Sequence, residues 1–195
     1  DIHSNREAAE ACLNHVQLQG VDQYVFLGDL IGYGADPGWV LDTVMNYHER
    51  GAIVVLGNHD EAALKASEKT MHDEARYVVD WTRACINTAQ ANFIAALPLT
   101  IEKSDSLYVH ANAWDPRGWD YITGVFEARR SLAATLCRFT FCGHLHEPAL
   151  YHQGATGRVK SFTPVAGVDI PLGAHRRWLA VIGAVGQPRD GNPAA

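Results

Sequence analysis

Five polar motifs constrain the fold of this chain more than any other feature, and four of them stand where a short apolar run ends. The runs are rich in Val, Ile, Phe and Tyr, which is typical of buried β-strands, and helical stretches separate them. In open α/β sheets, ligand-binding residues follow the carboxyl ends of strands. The motifs are Asp1-Ile2-His3 (at the start of the chain), Gly28-Asp29, Gly57-Asn58-His59-Asp60, Val109-His110 and Gly143-His144-Leu145-His146. We therefore expect their polar side chains to meet at one edge of a sheet.

Helix and strand patterns alternate over the first two-thirds of the chain, and short strands with Gly and Pro turns dominate the rest. The pattern predicts helices at residues 6–18, 37–50 and 127–136, with two more between residues 61 and 97. It predicts strands at residues 21–27, 52–56, 107–109, 139–142, 149–152, 158–162 and 178–182. This arrangement indicates an α/β fold.

The residue types in the motifs suit a metal centre. Carboxylate, imidazole and amide oxygen together favour manganese, iron, zinc or nickel. In two-metal hydrolases one carboxylate bridges the two ions. Asp29 is the natural bridge in this chain because it stands alone in its motif. The first ion would bind Asp1, His3, Asp29 and His146, and the second would bind Asp29, Asn58, His110 and His144.

The alternative interpretation of these histidines is ordinary packing. For any one histidine that alternative is the better one. It fits poorly with half of the ten histidines of the chain lying in ordered motifs of this kind.

Composition restricts the partners. The net charge of −6 argues against a surface that grips long nucleic acid, and no stretch is apolar enough to span a membrane. The four cysteines form no CxxC pair and are predicted to be buried, reduced thiols. A cytoplasmic location is the default expectation.

The ordered series D-x-H, GD, GNHD, VH and GHxH resembles the calcineurin-like metallophosphoesterase superfamily. Longer stretches, GDLIGYGADP, WTRACINTAQANFIAALPL, GHLHEP and GAVGQPRDGNP, are similar to its small bacterial and archaeal predicted-phosphodiesterase branch. The resemblance covers the whole chain and implies a four-layer α/β/β/α sandwich with two mixed β-sheets. It implies the same ligand assignment and hydrolysis of phosphate esters by a hydroxide that bridges two metal ions.

The resemblance also implies a catalytic role for His59, which would lie beside the second ion and stabilise the transition state or protonate the leaving oxygen. Gly32 stands where the protein-phosphatase branch has an Asp that orients this histidine, so Asp60 or Asp36 is the expected substitute. Asp29 would be catalytic through the two ions. Asn5 and Asn112, each just past a ligand, are predicted to bind phosphate oxygens.

A small phosphorylated compound, with nucleotides among the candidates, is the expected substrate. The alternatives are a repair-type nuclease and a non-catalytic scaffold that retains the fold; a protein phosphatase is less favoured because DRG does not follow the bridging Asp. Trp114 and Trp119 would either stack on a nucleobase or anchor their own loop, and anchoring is the favoured interpretation.

Relatives have an apolar strand before the first motif and further strands after the last one. We therefore expect residues 1–195 to be a single domain truncated at both ends. On that expectation the site of Asn58, His110 and His144 is better ordered than the site of Asp1 and His3.

Overall fold

The backbone forms six helices and eight strands within residues 1–66, 73–165 and 167–191, the ranges that the computed structural model describes. The helices are α1 (Arg6–Leu18), α2 (Pro37–Glu49), α3 (Asn58–Leu64), α4 (Asp73–Cys85), α5 (Thr88–Ala96) and α6 (Val125–Ala133). The strands are β1 (Val25–Phe26), β2 (Ile53–Val54), β3 (Thr100–Lys103), β4 (Ser106–Val109), β5 (Phe139–Cys142), β6 (Ala149–Gln153), β7 (Val159–Phe162) and β8 (Arg177–Val181).

The predicted elements agree with these in type, and α1 and β5 agree in their bounds. Strands β1 and β2 are shorter than the predicted runs, since only two residues of each pair with the other. In the described residues between 58 and 97 there are three helices rather than the two predicted, and the additional one, α3, begins inside the GNHD motif. Strand β3 was not predicted, as its largely exposed residues show no alternation.

The strands form two sheets. Strands β1 and β2 make a parallel pair, and the second sheet has the order β3-β4-β5-β8-β6-β7. In the second sheet β5 runs parallel to both β4 and β8, whereas the other three pairings are antiparallel. Because β4 and β5 are parallel neighbours, the motifs that follow them, at His110 and His144, leave the sheet at the same edge.

Capping residues set where the helices begin. Asn5 precedes α1 and its side-chain oxygen accepts the Ala8 N–H, and Pro37 occupies the first turn of α2. Helix α5 has a reciprocal capping box between Asn87 and Gln90. Local sequence thus fixes where these helices begin, and α1 begins three residues after His3.

Each sheet has its own hydrophobic core. One core joins α1, α2, α3 and α5 to β2, and the other joins α6 to the second sheet. The predicted fold class, a sandwich of two sheets with helices packed on each, is confirmed. Only the second sheet is mixed, however, because β1 and β2 are parallel.

Two further expectations are decided here. Among the described residues no helix combines the length and the apolar character needed to cross a membrane. All four cysteines are free, but Cys85 is exposed and Cys12 is half-buried, so the prediction of burial holds only for Cys137 and Cys142.

Candidate metal centre

The structure brings the predicted ligands together in two groups that share one carboxylate. The first group is Asp1, His3, Asp29 and His146, and the second is Asp29, His110 and His144. Within each group the candidate ligand atoms lie within 4.8 Å of one another, and all of these residues are buried. Asn58 joins the second group, because its Oδ1 lies 3.1 Å from Nε2 of His110. These are the two sets that the motifs predicted.

Pairs of imidazole nitrogens face each other in both groups. Nε2 of His3 lies 3.0 Å from Nε2 of His146, and Nε2 of His110 lies 3.0 Å from Nδ1 of His144. Oδ2 of Asp29 lies between the groups, 3.7 Å from Nε2 of His3 and 3.4 Å from Nε2 of His110. The two groups are therefore close enough to act on one substrate.

Backbone carbonyls decide which nitrogen of each ring carries the proton. The outward-facing nitrogens of the four rings donate to the carbonyls of Ile31 (from His3), Leu27 (from His110), Trp119 (from His144) and Gln187 (from His146). A carbonyl only accepts, so in a neutral imidazole the proton is on that side and the other nitrogen has a lone pair. Each of those lone pairs points into the centre.

Burial keeps three of these rings, those of His3, His144 and His146, uncharged at neutral pH. Desolvation lowers the pKa of His3 to about 2, and it is also the main cause that lowers the pKa of His144 and of His146 to about 4. At neutral pH these three histidines are in the form that binds a metal.

The residues fit a cation. Two lone pairs that face each other at 3.0 Å repel unless a positive ion lies between or beside them. Asp1 adds a buried carboxylate oxygen, Oδ1, that has no hydrogen-bond partner in the described part of the chain. Buried acceptors without donors are rare in native proteins and call for an ion or water.

The backbone around the centre is strained. His3, Asp29, His144 and His146 all have positive φ, between 48° and 67°, where side chains other than glycine are uncommon. Such strain concentrates at functional sites. Asp1 and the backbone at Gly143 lie so close that a Cβ at position 143 would collide with Oδ2 of Asp1. That oxygen accepts the backbone N–H of His144 at 3.0 Å.

Comparison with known proteins agrees with this geometry. The calcineurin-like phosphoesterase superfamily domain matches residues 1–195. The chain belongs to this superfamily. The uncharacterized protein MJ0912 of Methanocaldococcus jannaschii is 31% identical over 209 residues, which cover 98% of this chain and 76% of that protein.

Two solved structures resemble the chain. The crystal structure of a metallophosphoesterase from Sphaerobacter thermophilus superposes with a TM-score of 0.80 at 31% identity, over 99% of this chain and 77% of that one. The hypothetical protein PH1004 from Pyrococcus horikoshii has a TM-score of 0.70 at 12% identity, over 95% of this chain and 75% of that one. The second likeness concerns the fold alone. Membership of the metallophosphoesterase family indicates a metal-dependent hydrolase of phosphate esters.

In this metallophosphoesterase, His59 lies beside the ligands. Its backbone N–H donates to Oδ1 of Asp29 at 2.8 Å, and its ring centre is 5.0 Å from that of His3. Burial lowers its pKa, so the ring is neutral at neutral pH. A Cβ on Gly32 would come within 2.7 Å of the His59 Nδ1, so the absent side chain at position 32 leaves room for this ring.

The structure gives Asp60, one of the two expected orienting partners of His59, a different set of hydrogen bonds. Asp60 is fully buried, and its carboxylate instead accepts the backbone N–H groups of Leu30, Ile31 and Gly57. Asp36 precedes α2 as its N-cap residue, and its pairing with His59 stays a prediction. Asp60 therefore fixes the loop that follows Asp29 rather than the His59 ring.

The amides of Asn5 and Asn112 are engaged within the chain. Asn5 caps α1 and donates to the carbonyl of Gly186, and Asn112 donates to Asp120 and accepts from the N–H of Asp115. Asn112 is also fully buried. This geometry favours a role in holding loops near the site over the predicted contact with phosphate oxygens.

The motif analysis missed two residues at the centre, Tyr33 and Arg189. The Tyr33 ring centre is 4.7 Å from that of His3 and 4.6 Å from that of His59. Arg189 donates its backbone N–H to the carbonyl of His146, and after burial its charge is the next cause that lowers the His146 pKa. Residues 186–191, part of the GAVGQPRDGNP stretch, thus bring a cation to the site. The similarity of that stretch to the family branch was the one signal for it.

Proposed function

We propose that the protein hydrolyses esters of small phosphorylated compounds with the help of two metal ions. The observation that supports this proposal is the sharing of Asp29 by two groups of buried ligands whose lone pairs converge. Asp1, His3, Asp29 and His146 would hold one ion, and Asp29, Asn58, His110 and His144 the other. When bound, such ions lower the pKa of water toward neutrality and offset charge on the phosphate.

The chain's own groups then orient the substrate. His59 is neutral and lies half-buried next to Asp29, so it offers one N–H to a phosphoryl oxygen or to the leaving oxygen. Arg189 adds a positive charge on the side of His146 and Tyr33. A preorganised donor and cation of this kind stabilise negative charge that grows in the transition state.

The intact ligand set argues against a non-catalytic scaffold, and the net charge of −6 argues against a nuclease that grips long DNA. Manganese, iron, zinc and nickel all suit these ligands. A cytoplasmic location stays a prediction.

Metal analysis with a substrate panel tests the proposal. We expect the purified protein, stripped by a chelator and reloaded with manganese, iron, zinc or nickel, to bind two ions and to hydrolyse bis(p-nitrophenyl) phosphate or p-nitrophenyl phosphate. The chelated protein should be inactive. Failure of every metal to restore hydrolysis of both esters would contradict the proposal.

Substitution of Arg189 tests whether its positive charge assists hydrolysis. We expect Arg189→Gln to lower kcat/KM by about tenfold to a hundredfold, because a charge-assisted hydrogen bond to phosphate contributes about 1.5–3 kcal/mol. Arg189→Lys should recover part of this loss, since it keeps the charge without the planar donor pair. Arg176→Gln is the matched control, because Arg176 is exposed and donates to His152 instead. Equal kcat/KM for wild type and Arg189→Gln would exclude the role.

A further inference from the structure

An unusual group of exposed aromatic side chains lies next to the candidate metal centre. Tyr33, Tyr77 and Trp81 are 47%, 71% and 36% exposed, and together with Gly34, Ala35 and Val78 they line one cavity of about 240 Å³. Contiguous exposed apolar surface of this kind marks binding sites. We call this cavity the aromatic cavity.

Two elements build the aromatic cavity. Tyr77, Val78 and Trp81 come from α4, where Trp81 lies four residues after Tyr77 and three after Val78, the two spacings that make helical side chains neighbours. Tyr33 comes from the irregular loop after Asp29, where its own backbone has a positive φ. The same Tyr33 ring touches His3 and His59. The aromatic cavity is therefore one side chain away from the candidate ligands.

A polar cleft continues from the aromatic cavity. Tyr33, Gly34 and Ala35 also line this second space of about 410 Å³, whose other walls include His3, Ser4 and Gln187. Ser4 is fully buried, and its hydroxyl has no hydrogen-bond partner among the described residues; the same holds for the buried Oε1 of Gln187. Buried polar atoms without partners indicate a site where a ligand or water completes the hydrogen bonds.

We propose that the aromatic cavity binds the base of a nucleotide whose phosphate lies at the metal centre, with the sugar crossing the polar cleft. Stacking on aromatic side chains suits every nucleobase, because each has a flat π-face. The neighbouring Arg189, which interacts with the Tyr33 side chain, adds the positive charge that a phosphate ester requires. The Ser4 hydroxyl and the Gln187 oxygen suit the hydroxyl groups of a sugar. This inference rests on the proposed function, because the phosphate at the centre is what ties the base to the aromatic cavity.

The tryptophans of the loop after His110 do not serve this purpose. Trp114 stacks under the guanidinium of Arg130, 4.4 Å from its ring centre, and packs against the core of the second sheet. Trp119 presents its ring edge to His110 and its carbonyl to His144. Both residues therefore anchor their loop.

A pair of matched ligands tests the proposal by binding. The first is the methylene phosphonate analogue of AMP, whose carbon–phosphorus bond resists hydrolysis, and the second is the same ribose phosphonate without adenine. We expect isothermal titration calorimetry on the manganese-loaded protein to give a Kd for the first ligand that is about tenfold or more below the Kd for the second. Stacking of one base predicts a difference of this size.

Variants locate the base. The ratio to compare is the Kd of the ribose phosphonate divided by the Kd of the AMP analogue. This ratio should fall toward one in Trp81→Ala and in Tyr77→Ala, whereas Phe126→Ala should keep the wild-type ratio. Phe126 is the control because it is 60% exposed on α6 and contacts Arg129 instead of either cavity. Far-ultraviolet circular dichroism checks that each variant is folded. The double variant Tyr77→Ala/Trp81→Ala gives a second measure of the same ratio.

Three outcomes would overturn the inference: equal Kd values for the two phosphonates, no binding of either, or a ratio that the α4 variants leave unchanged. Hydrolysis of the generic esters remains a separate test of the proposed function. If those esters are cleaved while adenine adds no affinity, the base subsite is wrong and the hydrolase stands.

Discussion

Asp29→Asn should abolish hydrolysis and lower the metal content of the purified protein. The substitution keeps the shape of the side chain and an oxygen for the N–H of His59, which Oδ1 of Asp29 accepts at 2.8 Å. It removes the one charge that both ligand groups share. Metal ions contribute several kcal/mol to the transition state, so we expect kcat to fall by about a thousandfold or more.

Stability separates this effect from misfolding. Asn tolerates the positive φ of residue 29 well. Loss of the Asp29 charge has two opposed effects on stability. It removes a repulsion, because that charge, after burial, raises the pKa of Asp60. It also removes the interactions with His110 and the other nearby histidines, which together outweigh the effect of burial and keep the pKa of Asp29 below its usual range. The chelated Asp29→Asn protein should therefore unfold at a urea concentration close to that of the chelated wild type. The exposed Asp22→Asn is the matched control and should keep activity and metal content.

The measurements are metal content by mass spectrometry and kcat on bis(p-nitrophenyl) phosphate or p-nitrophenyl phosphate, whichever the wild type cleaves. An Asp29→Asn protein with full activity would refute the assignment of Asp29 as the bridge. A protein that keeps two ions but loses activity would mean that the carboxylate acts on the substrate rather than on the metals.

The sequence was sufficient to predict which ligands lie together, because four of the five motifs come at or shortly after the end of a strand. A residue such as His110 needs only the end of β4 to fix its place, and β4 and β5 are parallel neighbours. The ends of such strands meet at one edge whatever the loops between them do. The expectation that Asp29 belongs to both groups came instead from its standing alone in its motif.

The residues that the sequence did not predict depend on irregular backbone. Tyr33 reaches His3 and His59 through a loop with positive φ at Asp29 and Tyr33. Arg189 reaches His146 across a long separation in sequence and without any periodic pattern. Propensity and periodicity describe regular elements, so they contain no signal for either contact.

Asp60 illustrates the same limit. Its place in GNHD suggested a partner for the neighbouring His59, but side chains of adjacent helical residues point in different directions. In α3 the Asp60 side chain turns back to the strand exits and accepts three backbone N–H groups. Only the observed path of the loop after Asp29 places those donors within reach.

Asp60→Ala should therefore be among the most destabilising substitutions in the chain. Three N–H groups, of Leu30, Ile31 and Gly57, would lose their acceptor at a fully buried position. Each buried donor left without a partner costs about 1–3 kcal/mol. Removal of a buried carboxyl group offsets part of this cost, so we expect the free energy of unfolding to fall by about 3–5 kcal/mol.

Urea denaturation of the chelated proteins measures this change without any contribution from metal binding. Asp73→Ala is the control, since that side chain is 89% exposed and its surface ion pair with Arg76 contributes little. Asp60→Asn should lie between wild type and Asp60→Ala, because one oxygen still accepts from Leu30 and Ile31 while an amide nitrogen faces the donor of Gly57. If Asp60→Ala unfolded like Asp73→Ala, these N–H groups would have other acceptors. The loop that carries Asp29 and Tyr33 would then owe its shape to packing rather than to this carboxylate.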